Sequence, residues 1–188
     1  MLRPVLVLSA LLLLSACTSF NPGLIDPAAP PEAVDSHLVG NWQTGEGKEI
    51  TYFNIVMETP SLLRVKMVDK GRCQQMESFA VRMEAVAGKR YLDVRRDHDK
   101  ASMLGSYQWK RKPGDETDND FEVWGANDDV FVQAVDQGQL LGSVQRNDKT
   151  VMKAEVTASP VVLQDFLMKH PDAMKLLGTL HRIADFPC

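Results

Sequence analysis

Histidine, cysteine and positive charge are all scarce in this chain, and each scarcity removes a class of function. The four histidines, His37, His98, His170 and His181, are scattered, and none has the spacing of a metal site. There is no nucleophile elbow and no glycine-rich phosphate cradle, so catalysis and a bound cofactor find no support. Basic residues number 21 against 25 acidic ones, with no basic patch, which argues against nucleic acid and against electrostatic adhesion to membranes. No apolar run is long enough to cross a bilayer core of about 30 Å as a helix; Pro4 to Leu14 reaches only 11 residues. Two acidic groupings read as solvated surface. Asp97-His98-Asp99 is expected to be an exposed charged turn. Asp115, Glu116, Asp118 and Asp120 lack the glycine and distal glutamate of an EF-hand loop, so no metal is expected there.

What is present begins at the N-terminus. Arg3 gives a positive first region, the short apolar run follows, and Leu14-Ser15-Ala16-Cys17 ends it. This resembles the lipobox of bacterial lipoproteins. The resemblance implies that residues 1–16 are a removed signal peptide and that Cys17 carries a diacylglycerol and a further acyl chain. At about 0.8 kcal/mol per buried methylene, two or three chains tether stably where one is marginal. Thr18, rather than aspartate, follows the cysteine. That resembles lipoproteins exported to the outer membrane, facing the periplasm, with the inner membrane as the alternative. Loss of residues 1–16 removes one cation, Arg3, so 20 basic residues face 25 acidic ones and the net charge becomes −5.

Residues 17–36 read as the acylated N-terminus and a flexible tether. Pro22, Gly23, Pro27, Pro30 and Pro31 interrupt any helix or ladder. An extended, mobile segment of this kind reaches on the order of 60 Å at about 3.1 Å per residue. Residues 37–188 then suit one domain with a real core, given 44% hydrophobic residues in the chain.

From Leu38 onward, apolar residues alternate with period two, broken every eight to twelve residues by turn chemistry, which predicts an antiparallel barrel or sandwich. Strands are expected at Ile50–Met57, Leu63–Asp69, Phe79–Ala85, Tyr91–Arg95, Tyr107–Lys110, Phe121–Trp124, Val130–Val135, Leu140–Val144 and Val151–Thr157. Helical periodicity is nearly absent until Ser159 offers a cap before Pro160, with Val162, Leu163, Phe166 and Leu167 as an apolar stripe. A further turn ending at Gly178 and an extended tail, Thr179–Cys188, complete the reading.

Gly40-Asn41-Trp42, just after the tether, together with the late helix, resembles the lipocalin or calycin family. The family implies an up-and-down β-barrel of about eight strands with a C-terminal helix packed outside, and Gly40 and Trp42 closing the barrel bottom. Ala134–Val144, with Asp136 between strands, resembles the family's second motif in placement but lacks its Thr-Asp-Tyr core. With Cys17 acylated in an oxidising compartment, Cys73 and Cys188 remain and are expected to pair, as many lipocalins pin a C-terminal tail by a disulfide. Such a long loop is worth about 4 kcal/mol. The alternative is Cys188 free for an intermolecular bridge.

Tyr52, Phe79, Val81, Met83, Tyr107, Trp109, Val130 and Val132 are the candidate ligand-lining residues. A barrel of eight strands either fills with side chains or holds one small ligand. A filled or nearly filled interior is favoured over a deep cup. The first functional expectation is a binding module for an apolar or amphipathic molecule such as a lipid or fatty acid, by fold analogy. The alternative is a non-enzymatic envelope interaction protein, an assembly factor or inhibitor, with a filled barrel and a protein partner.

Overall fold

The computed structural model describes residues 18–25, 30, 32–45, 50–69, 75–97, 99–110, 119–147 and 150–185. The chain starts with β1 (Thr18–Phe20) and, after a 3-10 turn at Ser36–Leu38, enters a meander. Its strands are β2 (Gly40–Thr44), β3 (Thr51–Thr59), β4 (Leu62–Asp69), β5 (Gln75–Val86), β6 (Lys89–Arg96), β7 (Met103–Trp109) and β8 (Asp120–Ala126). There follow α1 (Asp128–Asp136), the hairpin β9 (Gly142–Asn147) and β10 (Thr150–Val156), α2 (Pro160–Lys169), and finally β11 (Met174–Ile183).

β11 pairs antiparallel with both β8 and β2, closing a barrel of eight strands in the order β11-β2-β3-β4-β5-β6-β7-β8. Closure removes every edge from the sheet. The mainly β architecture with a helix laid outside the barrel is therefore that of a lipocalin-like barrel. Alternation sets the inward face: Leu63, Val65 and Met67 of β4 point in while Arg64 and Lys66 point out, and β5 continues with Phe79, Val81 and Met83. Turn chemistry fixes the register. Ala87 and Gly88 join β5 to β6 with φ of +51° and +79°, the two left-handed positions of a hairpin turn matched to strand twist.

Four local expectations are overturned. Val130–Val135 is not a strand but lies in α1. Asp128 and Asp129 sit in its first turn, where the helix dipole favours them, and Phe131 and Ala134 form its buried stripe. Asp136 accordingly ends a helix instead of lying between strands. The strands near Leu140–Val144 and Val151–Thr157 exist but stand outside the barrel, in a sheet of three with order β1-β10-β9. The expected turn at Gly178 and extended tail from Thr179 are instead β11, the closing strand, with Gly178 at an irregularity in its pairing with β8.

The fourth correction concerns the tether. Thr18–Phe20 pairs in parallel with β10, and Phe20, Leu24, Ile25 and Val34 are buried. Gly23, at φ +103°, lets the chain lie against the barrel: a Cβ there would stand 2.5 Å from Asp93 Oδ2 and 2.6 Å from Ser102 Oγ. Arg95 Nη2 donates to the Pro22 carbonyl at 2.9 Å. Proline excludes ladder positions but not packing, and Phe20 and Leu24 supply the apolar side chains that hold the segment down.

Two cores result. One lies inside the barrel, around Trp42 at one end. The other lies outside it, where Phe20, Leu24, Phe131, Leu163 and Phe166 cover Val86, Tyr91, Leu104 and Ala126 on the outer wall. Phe20 meets Phe131 edge-on at 5.0 Å, and burying such side chains contributes about 1.5–3 kcal/mol each. Among the described residues no helix is long and apolar enough to cross a membrane.

Candidate binding cavity

Antiparallel neighbours alternate in direction, so one rim of the barrel collects the ends of β2, β4, β6 and β8 and the starts of β3, β5, β7 and β11. The opposite rim is a floor, built on Trp42. Its indole is fully buried, donates Nε1 to the Leu38 carbonyl at 2.8 Å, and meets Phe121 at 4.6 Å. The Arg182 guanidinium of β11 stacks on it at 4.2 Å, donates to the Val39 carbonyl at 3.1 Å, and also bonds the His37 carbonyl. Gly40, at φ +146°, is required by that stacking, since a Cβ there would lie 2.5 Å from Arg182 Nη1. The role implied for Gly40 and Trp42 thus has a third participant, Arg182. Its sequence signal is a single cation in the otherwise largely apolar stretch Leu176–Ile183.

A carboxylate network seals the floor. Asp35 Oδ2 accepts from the Tyr107 hydroxyl at 2.9 Å, Trp109 Nε1 at 3.1 Å and Arg90 Nη1 at 3.2 Å, while Oδ1 accepts from the His37 N–H at 3.0 Å. Burial pushes the Asp35 carboxyl up, but the hydrogen bonds from Trp109, His37 and Tyr107, with the charge of Arg90, outweigh it and hold the group below its ordinary value. Burial, opposed by the hydrogen bond from Arg90 and reinforced by Asp35, pushes the Tyr107 hydroxyl up to about 12.

Above this floor the barrel is hollow. A cavity of about 450 Å³ runs from Leu38, Tyr107 and Phe121 to Asp128, Lys175, Leu176 and Leu177 at the opposite rim. This volume falls within the 300–1,000 Å³ range of ordinary small-molecule sites. The expectation of a filled interior is corrected: Phe53, Leu63, Phe79 and Phe121 line the walls of this space. Among the described residues, the only charged ones on the lining are Asp128 and Lys175, whose Oδ2 and Nζ lie 3.5 Å apart at the mouth. An apolar shaft with one ion pair at its opening suits an amphipathic molecule, tail inward and head group outward.

Of the residues proposed from sequence, Phe79, Val81 and Tyr107 line the cavity. Met83 lies buried in the barrel core at the floor, where its sulfur accepts from the Asp35 N–H at 3.4 Å. Trp109 is part of the floor and borders an outer groove with His37 and Lys89. Tyr52 is buried, but its parity with Phe53 and Ile55 places it on the other face of β3. Val130 and Val132 are on α1, outside the barrel. Missing from the sequence selection were Leu63, Val65 and Met67, whose alternation on β4 was a usable signal. Leu176, Leu177, Asp128 and Lys175 carried no such signal, because their place at the mouth depends on closure by β11.

Cys17, Cys73, Cys188, His98, Asp115, Glu116 and Asp118 lie outside the described residues. Asp120 faces His181, Oδ1 to Nδ1 at 2.9 Å, on the β8–β11 pairing. Among the described residues, no three His, Cys, Asp or Glu side chains gather into a metal-binding group. Comparison with family models, with curated proteins and with solved structures finds no match to this chain.

Proposed function

We propose that this protein is a non-enzymatic binding module for a small apolar or amphipathic molecule of the lipid or fatty-acid class. We further propose that it is an acylated envelope lipoprotein, anchored through Cys17 to the outer membrane and facing the periplasm. The observation that carries the binding reading is the apolar cavity of about 450 Å³ with its charged lining residues confined to the mouth. Desolvation of a single chain supplies affinity, at roughly 0.8 kcal/mol per buried methylene, and the sealed floor sets the depth. For the anchor, the support is the Leu14-Ser15-Ala16-Cys17 motif.

The test is native mass spectrometry of protein extracted gently from envelopes, paired with binding of a fluorescent fatty acid to delipidated protein. Co-purified lipid and saturable binding are expected. Val65→Trp, which fills the shaft from an inward position, should abolish binding while leaving the circular dichroism spectrum intact. Full probe binding by folded Val65→Trp would sink the cavity reading.

A second reading is favoured by one observation. The α2 helix leaves Val161, Val162 and Met168 exposed, at 70%, 45% and 55%. An envelope interaction protein would use such a face for a protein partner. Serine substitutions there that abolish cellular function without altering probe binding would support this reading over the first.

A further inference from the structure

Three features of the mouth point in one direction. Thr18, fully buried on β1, donates its backbone N–H to Asp128 Oδ1 at 3.0 Å, and Asp128 lines the cavity beside Lys175. Consecutive Cα atoms are about 3.8 Å apart, so residue 17 is one peptide unit from a residue bonded to the mouth. In addition, the rim that topology assigns to the mouth exposes large apolar side chains, Met76 near the start of β5 at 59% and Leu176 near the start of β11 at 50%. The segment after Thr18 provides no slack either, because Phe20 and Leu24 are held in the outer core.

We infer that the barrel docks mouth-first on the membrane that holds its own acyl chains, and that its cavity takes lipid directly from that leaflet. The inference rests on the acylation of Cys17 proposed above. The anchor is then a positioning device. It presses Met76 and Leu176 against the head-group region, where apolar side chains leave water, and it places Lys175, about half exposed, at the level of phosphates or carboxylates. A lipid leaving the bilayer passes from one apolar environment into another without crossing water.

The experiment uses the full-length acylated protein on phosphatidylethanolamine and phosphatidylglycerol vesicles containing a phospholipid with a photoreactive group near its ester linkages. Crosslinks are mapped by peptide mass spectrometry. They are expected at residues 75–76 and 174–177 and on the cavity wall at 79–81, and not at residues 57–63 of the floor rim. A variant with a ten-residue Gly-Ser spacer inserted between Cys17 and Thr18 leaves β1 docked but moves the acyl chains away by roughly 17 Å. Crosslinking at the mouth should then fall several-fold as effective concentration drops. Crosslinks at 57–63, or a mouth yield unchanged by the spacer, overturn the inference. Its failure is separable from failure of the underlying reading: the mass of the N-terminal peptide reports acylation, and fatty-acid binding by soluble Cys17→Ala reports the cavity.

Discussion

The Tyr107 hydroxyl donates to Asp35 Oδ2 at 2.9 Å, joining the wall of the cavity to the segment that enters the barrel from below. Asp35 is the acceptor that satisfies two aromatic donors, buried Tyr107 and half-buried Trp109. Asp35→Ala leaves both unpaired and should cost about 1–3 kcal/mol in urea unfolding at pH 7. The pH dependence has a definite sign. The folded-state carboxyl lies below its ordinary value, so its contribution is present above the unfolded pKa, near 3.9, and is lost as pH falls through the folded value. Wild type should therefore lose stability below about pH 4, and Asp35→Asn should show a shallower loss over that window. Equal slopes in the two proteins would contradict the role given to Asp35.

The floor offers a sharper test through Gly40 and Arg182. Gly40→Ala introduces both a strained φ and a 2.5 Å approach to the guanidinium, so it should destabilise by more than 1 kcal/mol, or about 2–4 °C in a chain of this size. Part of that cost disappears when Arg182 is already alanine. A double-mutant cycle in thermal denaturation should show coupling of about 0.5–3 kcal/mol between the two positions.

Docking of the N-terminal segment separates the observed fold from a mobile tether. Phe20 is 1% exposed and packs on Phe131. Phe20→Ala should cost about 3–5 kcal/mol, the range for a buried aromatic, whereas a solvated tether would lose nothing. Hydrogen exchange at the amides of 18–20 should be slow in wild type and fast in the variant.

Lys175 should influence which head group the cavity prefers. Lys175→Glu places two carboxylates at the mouth in place of the Lys175–Asp128 pair. Affinity for an anionic amphiphile should fall a few-fold, on the scale of about 1 kcal/mol for an exposed pair, while affinity for the matching neutral alcohol stays constant. Calorimetry with the two ligands measures the difference.

The expected Cys73–Cys188 disulfide remains a proposal. Both cysteines lie outside the described residues. Non-reducing peptide mapping should yield one linked peptide; two free thiols would refute the pairing.

Much of the barrel was legible because period-two alternation is a local property. On β4 and β5, Leu63, Val65, Met67, Phe79 and Val81 declare an inward face whichever strands lie beside them. Other segments carried an ambiguous local signal. Val130–Val135 is apolar at both strand and helix spacing, and the packing of Phe131 between Phe20 and Phe166 selects the helix. The stretch containing Pro22 looked like a linker because proline density reports what a segment cannot pair with, not what it packs on.

The amino-acid sequence by itself determined the class of the fold, the run of strands from Ile50 to Trp124, and the motif at Leu14–Cys17 on which the anchor proposal stands. Only the tertiary structure decided that β11 closes the barrel after a long excursion, that residues 18–25 are docked, and that the interior holds a cavity. The physical reason is range. Which face of a strand is apolar depends on neighbours two residues away. Closure, docking and interior volume depend on contacts across the whole chain, such as Thr18 with Asp128 and Gly40 with Arg182.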